Sequence, residues 1–442
     1  MSDTYKYKYS IMTCCRWEYN NISEWISFYK EIGFDHIYIY CNDDDPRDLY
    51  TNCLPFISEE NSFVTFVYYA EVGNQIGMIL DFLKNFKNQT EWVSFIDIDE
   101  FLLLKNTHNI KDFMVKFEGN DVVYFNWSMF GTNYFEKRPE GSVILNYYYR
   151  EEKLHPLTKI ISKTKIYSDQ WIETNPRDSI HHGISKYLIN FNCVNVLGES
   201  MNYLIDNPLE IHDKYLSDKA DAIREVAVLN HYFMKSTEDF IRRSQRSVGK
   251  TFSGQKVWKD IFDNGGYREI IELSNVKDTS LRDFWREKTN NAFNLTVGNK
   301  DIIISRGKKC TQSSISEWSK GASLEEDAGL LVGAVEEEFY GNHTSFETNP
   351  WWAIDLGSIK EIKKIKIYNR NDSASERTRN ISIYFSNFGD NWRNKISFND
   401  IKWDDNNQFS INLINAEMDA RFIKIEVNGE NFLHFRKIEI YQ

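Results

Sequence analysis

The first hundred residues are constrained most by short apolar runs alternating with helix-patterned segments. Tyr7 to Cys15, His36 to Tyr40, Phe63 to Tyr69 and Trp92 to Ile96 each have strand length and mostly apolar or aromatic content, as expected of strands buried on both faces. After the first, Ile22-Ser23-Glu24-Trp25-Ile26-Ser27-Phe28-Tyr29 places apolar residues at helical spacing up to a stop at Gly33. Residues 74–88 form a second predicted helix before the fourth run. This alternation predicts a mostly parallel sheet with helices on both faces. Ligands gather at the C-terminal strand ends of such sheets, where Asn42-Asp43-Asp44-Asp45 and Asp97-Ile98-Asp99-Glu100 fall. Residues 210–295 read as mainly helical, with helices over Tyr215 to Asn230 and Thr237 to Ser247. From residue 301 short alternating strands such as Lys364 to Tyr368 and Phe422 to Val427 dominate, separated by turn signals, which predicts an all-β sandwich.

A length of 442 residues suits two domains. The net charge of −12 argues against wholesale nucleic-acid binding, which needs phosphate neutralisation. Aromatic residues make up 15% of the chain, and their rings can stack on the C–H faces of sugars. No secretory pattern opens the sequence, and no apolar run approaches the roughly 18 residues of a membrane span. The six cysteines lack metal-ligand spacing, so buried reduced thiols in a cytoplasmic protein are expected.

Asp97 and Asp99 directly follow a buried strand, and residues two apart on a strand share a face. Two carboxylates so placed repel unless a cation lies between them. A hard divalent ion, Mn²⁺ or Mg²⁺, can bridge them to a diphosphate and neutralise it as it leaves. The plainer reading is a pair of solvated carboxylates capping the next helix.

The ordered set Cys15-Arg16-Trp17-Glu18-Tyr19-Asn20, Glu24-Trp25-Ile26, Gly33-Phe34-Asp35-His36-Ile37-Tyr38-Ile39 and Glu91-Trp92-Val93-Ser94-Phe95-Ile96-Asp97-Ile98-Asp99-Glu100-Phe101 resembles glycosyltransferase family 92 and related family-2-like transferases over about residues 8–250. The resemblance implies a type-A α/β glycosyltransferase fold (Rossmann-like, mostly parallel sheet), a UDP-sugar donor such as UDP-galactose, Mn²⁺ and inverting chemistry. It implies that Cys15, Arg16 and Glu18 line the nucleotide pocket, that Asn42 and Asp43 hold uridine, and that Gln75, with Glu71 and Gly73, lies under the donor. Lys159 is implied to contact the diphosphate. His231, in Asn230-His231-Tyr232-Phe233-Met234-Lys235-Ser236, is implied as a third metal ligand beside Asp97 and Asp99. Arg242, Arg243 and Arg246 share one helix as a candidate basic face. An inverting transfer also needs a base, for which Asp178 and Glu173, near His181-His182, are candidates.

In the tail, Pro350-Trp351-Trp352-Ala353-Ile354-Asp355-Leu356-Gly357, Ile367-Tyr368-Asn369-Arg370 and Asn431-Phe432-Leu433-His434-Phe435 resemble the discoidin (coagulation factor 5/8 type C) jelly-roll sandwich, and within it the fucolectins. That resemblance implies fucose binding by His343, Arg370 and Arg377. The loop that holds a structural Ca²⁺ in such domains reads Ala334-Val335-Glu336-Glu337-Glu338 here, and Arg436-Lys437 stands where the last strand supplies a carboxylate, so calcium is not expected.

The expected organisation is a transferase domain over 1–275, a helical linker over 276–300 and a discoidin domain over 301–442. The expected enzyme extends a surface polysaccharide or lipid-linked glycan, in the cytoplasm and with peripheral contact to the inner membrane face, while the tail holds acceptor glycan. Its partners are the UDP-sugar and an oligosaccharide or lipid-linked acceptor. The alternatives are a non-enzymatic glycan-binding protein with a degenerate transferase domain, and a glycoside hydrolase, which uses two carboxylates without a nucleotide pocket.

Overall fold

The computed structural model describes residues 5–57, 62–174, 176, 180–205, 208–245, 263–264, 266–293, 302–334, 337–413 and 418–442. The chain divides into two compact units, residues 1–133 with 137–292, and residues 134–136 with 293–442.

The first unit alternates β1 (Tyr7–Cys15), α1 (Ile22–Glu31), β2 (His36–Cys41), α2 (Arg47–Ile57), β3 (Val64–Tyr68), α3 (Gln75–Phe86) and β4 (Thr90–Phe95), and continues through β5 (Glu100–Leu104), β6 (Val122–Met129), β7 (Thr158–Lys163), β8 (Cys193–Asn195), α4 (Pro208–Arg224), β9 (Ala227–His231) and α5 (Thr237–Gln245). Its sheet runs β3-β2-β1-β4-β7-β6-β9-β5, with β8 beside β6. The pairs from β3 to β4 are parallel, as the helical crossovers require. β7 is antiparallel to both neighbours, and β5 is antiparallel to β9, making the sheet mixed beyond β4. All six residues of β2 are buried, and Trp25, Ile26, Phe28 and Tyr29 of α1 are inaccessible. Asn74 caps α3 by accepting the Gly77 N–H at 2.9 Å.

The helix expected from Tyr215 to Asn230 ends at Arg224, and its last third is the strand β9. The physical reason is tertiary. Val228 and Leu229 are nearly inaccessible between β6 and β5, a slot that favours an extended, fully buried segment over helix propensity. The described part of the expected linker packs within the first unit. Val276 pairs with Arg150, and the Trp285 indole, on the helix Ser280–Phe293, donates to Glu24 at 3.0 Å.

The second unit is antiparallel. One five-stranded sheet is built around Trp351–Glu361 and Asp419–Val427, and a three-stranded sheet around Lys364–Asn369. Ile423, Ile425 and Val427 from the first and Ile365, Ile367, Ile438 and Ile440 from the second share one hydrophobic cluster with Trp352. Alternation of buried and accessible residues along Asp419–Val427 is the signature of a sandwich with one wet face.

Trp25 joins the first core to the acidic turn. Its indole N–H lies 3.0 Å from both the Asp97 and the Glu100 carbonyl oxygens. Trp25→Ala removes a fully buried ring and is expected to cost about 3–5 kcal/mol, read as a lower denaturant midpoint in equilibrium unfolding.

Candidate functional site

The site of the first unit forms where β4 hands over to β5. β4 stops at Phe95, and Asp97 to Asp99 make a turn closed by the Glu100 N–H donating to the Asp97 carbonyl at 3.1 Å. The acidic pair therefore lies in a turn rather than along a strand, and each carboxylate has its own counter-ion. Asp97 Oδ2 lies 2.7 Å from the Lys159 ammonium, and Asp97 Oδ1 accepts from Gln75 at 3.3 Å. Asp99 Oδ2 accepts from Arg243 at 2.5 Å, and its Oδ1 lies 3.5 Å from His231 Nε2. The third acid, Glu100, is inaccessible and accepts the Asp97 N–H at 2.8 Å.

Burial pushes all three carboxyls up, and the cations decide which stay ionised. Lys159 brings Asp97 below the ordinary carboxylate range, and Arg243 with His231 brings Asp99 well below it. Glu100 stays well above, since burial and the charges of Asp97 and Asp99 outweigh Lys159. His231 is buried, which pulls its pKa down against the pull of Asp99, and favours the neutral ring. Neither of its nitrogens has a hydrogen-bond partner of good geometry. Its ring lies 4.5 Å from that of Trp127, which also stacks edge-on to His182.

The strand ends of β1 and β2 supply a second wall. Arg16 donates to the Asn42 carbonyl at 2.5 Å and pairs with Asp44, while Asp43 accepts the Trp17 N–H at 2.6 Å. Asn42 donates to the Glu71 carbonyl at 3.4 Å. Cys15 is inaccessible, and burial pushes its thiol well up. Glu18 pairs with Lys235 at 3.1 Å. Trp17 and Lys235 both hold positive φ, at 59° and 49°. For residues with a Cβ that backbone is costly, and such strain concentrates at functional sites.

Asp97, Asp99, His231, Gln75 and Lys159 are thus brought together, with Glu18 beside them through Lys235 and Arg243. Lys159 is 1% exposed and faces the acids rather than open space. Arg242 lies over the Tyr19 ring at 5.4 Å, and Arg246 lies outside the described residues. Of the base candidates, Glu173 is exposed at the end of a short helix, and Asp178 lies outside the described residues. The sequence assigns no site role to Glu100, Trp127 or His182. Glu100 sits next to the acidic pair and was the one with a local signal. Among the described residues, no group of three or more His, Cys, Asp or Glu is disposed to hold a metal ion. Asp99 and His231, 3.5 Å apart, are the oxygen and nitrogen donors of the turn that could serve a divalent cation, with Arg243 as the competing partner of Asp99.

In the second unit, His343, Arg370 and Arg377 converge. His343 Nδ1 lies 2.8 Å from the Thr344 carbonyl, and its backbone N–H donates to the inaccessible Asp327 at 2.8 Å. Arg370 lies over the Tyr340 ring at 5.0 Å and is held by Asp372, while Arg377 lies over Phe432 at 5.1 Å. The His343 ring is 5.2 Å from Phe432 and from His434. Lys437 pairs with Glu439 at 2.8 Å.

The chain belongs to glycosyltransferase family 92, whose model matches residues 16–255, and it carries an F5/8 type C domain over residues 309–436. Among curated proteins it is similar to a fucolectin of Anguilla anguilla (31% identity over 87 residues, 19% of this chain and 54% of that protein) and to fucolectin-1 of Anguilla japonica (32% over 91 residues, 20% and 50%). The chain spans about half the length of these curated relatives. Solved structures similar to it include the lectin domain of lectinolysin complexed with Lewis B antigen (26% identity, 33% of this chain, 99% of that one, TM-score 0.28) and a Streptococcus pneumoniae fucose binding module (22%, 33% and 99%, TM-score 0.28).

Two outcomes follow from these geometries. Lys159→Met leaves Asp97 and Glu100 without their buried cation and is expected to destabilise the protein by about 3 kcal/mol, measured by guanidinium unfolding. His434 is inaccessible with both ring nitrogens unpartnered, and burial, then Arg370, pull its pKa from the ordinary 6.5 down to about 3. The unfolded chain therefore binds the extra proton first, so this contribution to stability is intact above pH 6.5 and falls progressively as the pH drops toward 3. His434→Gln should flatten the pH dependence of the thermal midpoint over that window.

Proposed function

We propose that the first unit is a type-A, inverting glycosyltransferase that moves a sugar, galactose being the first candidate, from a UDP-sugar to a glycan acceptor. The observation that carries this reading is the Asp97–Asp99 turn, with Asp99 3.5 Å from the buried His231 ring at a strand-end junction of the sheet. Asp97, Asp99 and His231 would hold Mn²⁺ or Mg²⁺, which when bound neutralises charge on the leaving diphosphate. Gln75 and Lys159 fix Asp97, and Arg243 fixes Asp99, so the carboxylates are oriented before a donor arrives. Arg16, Glu18, Asn42 and Asp43 form the proposed nucleotide wall, with Cys15 buried beneath it.

In the transfer, an acceptor hydroxyl oxygen bonds to the anomeric carbon as the bond to the diphosphate oxygen breaks. The electron pair leaves with the diphosphate, and the hydroxyl proton passes to a carboxylate base, for which Asp178 and Glu173 stay the proposed pair.

For the second unit we propose binding of acceptor glycan, fucose-bearing in the first instance, by His343, Arg370 and Arg377, and no calcium dependence. The guanidinium groups and imidazole offer donors and an acceptor for sugar oxygens, and Tyr340 and Phe432 offer ring faces. A weak hold on one part of a polymer raises the effective concentration of its end at a tethered transferase. No helix among the described residues is long and apolar enough to cross a membrane. A cytoplasmic location, with peripheral membrane contact to reach lipid-linked acceptors, belongs to the proposal and is supported by six cysteines free of disulfides.

One observation favours a second reading. Arg243 and Lys159 already neutralise the acidic pair, as in a transferase domain kept only as a scaffold for glycan binding. Release of UDP from a panel of UDP-sugars decides between them. Turnover is expected to require Mn²⁺ or Mg²⁺, to stop with a chelator, and to fall at least about 100-fold in kcat/KM in Asp99→Ala. Full activity in that variant removes the metal assignment. Glycan binding without turnover of any nucleotide sugar leaves the scaffold reading.

A further inference from the structure

Two adjoining cavities, the smaller of them lined by the Arg243 that pairs with Asp99, differ in charge. The smaller is a cleft between Trp17 and Glu18 on one side and Phe233 and Arg243 on the other. Arg138, Lys235, Arg242 and Arg243 face it against only Glu18 and Asp239. The larger, of about 300 Å³, is walled by Asn20, Asn21, Asn146, Glu140, Ser142 and Tyr147. Its charged lining is balanced, Arg138 and Lys235 against Glu140 and Asp239. Arg138, Lys235 and Asp239 line both cavities and so form the partition between them.

That partition is built rather than incidental. Arg138 Nε donates to Asp239 Oδ1 at 2.7 Å, and Asp239 Oδ2 in turn accepts from the Ser236 hydroxyl at 2.8 Å. Lys235, held by Glu18, keeps a left-handed backbone at the same wall. The larger cavity is shaped from beneath by Glu24, which accepts from the Val143 N–H at 2.7 Å and from Trp285 at 3.0 Å, fixing the turn that carries Ser142. At Gly141 a Cβ would meet nothing within 4 Å, so the wall is open there.

An excess of cations next to Asp99 and Arg243 suits the phosphates of a donor. A balanced lining rich in amides and hydroxyls suits an uncharged, hydroxyl-bearing molecule, whose many donors and acceptors it can match without a net charge to neutralise. We propose that the larger cavity is the acceptor site, holding the terminal neutral sugar of the glycan to be extended, with its attacking hydroxyl at the end of the cavity that adjoins the donor cleft, beside Arg138 and Asp239. This rests on the transferase reading above.

The test fills the cavity from its rim in the full-length chain. Asn20, exposed at the mouth, is changed to Trp, and Glu140→Trp fills from the opposite wall should the first variant fail to fold. Kinetics are measured with the nucleotide sugar and the p-nitrophenyl hexoside that the wild type uses best from a panel. The acceptor KM is expected to rise at least tenfold, with donor KM within twofold of wild type. A raised donor KM with unchanged acceptor KM overturns the assignment and gives the cavity to the donor sugar. Unchanged values for both also overturn it. A wild type that turns over no nucleotide sugar overturns the transferase reading itself, a result distinct from either.

Discussion

Three acids within four residues, Asp97, Asp99 and Glu100, are brought to the edge of a core that excludes water, and their neutralisation organises the first unit. A lone buried carboxylate is costly enough that it protonates or finds a cation. Both responses occur within this turn. Asp97 takes Lys159 from β7, Asp99 takes Arg243 from α5, and Glu100 is pushed toward its neutral form. Because the counter-ions come from elements far along the chain, satisfying the turn also fixes how β7, β9 and α5 dock on it. The backbone is held independently, by Trp25 and Tyr29 of α1 donating to the Asp97 and Glu100 carbonyls.

That arrangement explains which parts of the molecule were legible in the sequence. The parallel half could be read from β1, β2, β3 and β4, because strands buried on both faces are continuous apolar runs with helix-period segments between them. β9 was not legible. Ala227-Val228-Leu229-Asn230 continues a helical pattern smoothly, and only the slot between β6 and β5 makes it a strand. The site was half legible in the same way. Asp97, Asp99 and His231 carry local context, whereas pairing Asp99 with Arg243 joins residues separated by 144 positions. Asp97 and Asp99 do not share a strand face, because the turn at Ile98 leaves them as two separately paired carboxylates.

The second unit presents a different electrostatic problem with a related solution. Its candidate site gathers two arginines and two histidines, all of one potential sign. Burial and the guanidinium charges together keep His343 and His434 below their ordinary pKa, so both rings stay neutral beside Arg370 and Arg377. Each guanidinium lies over an aromatic ring, Tyr340 or Phe432, which steadies the cation without consuming its donors. Asp327 also has a structural part. It accepts from Lys320, Gly321, Gln312 and His343 and so anchors the loops that deliver the histidine. A sequence motif of His and two Arg carries none of this support, which comes from residues on either side of it.

Both units bury an imidazole without a well-formed hydrogen bond, His231 in the first and His434 in the second. Burying an imidazole without a well-formed hydrogen bond costs folding free energy. In the first unit the neighbouring charges make that cost intelligible, since Asp99 holds the ring at 3.5 Å and Arg243 balances the carboxylate. A cation entering there would compete with Arg243 for Asp99, and the freed guanidinium would lie in the cleft that already carries an excess of cations. Under the proposed transferase reading, the arginine that neutralises Asp99 would be the same one that faces donor phosphate, so a single side chain would couple the charge balance of the turn to donor binding.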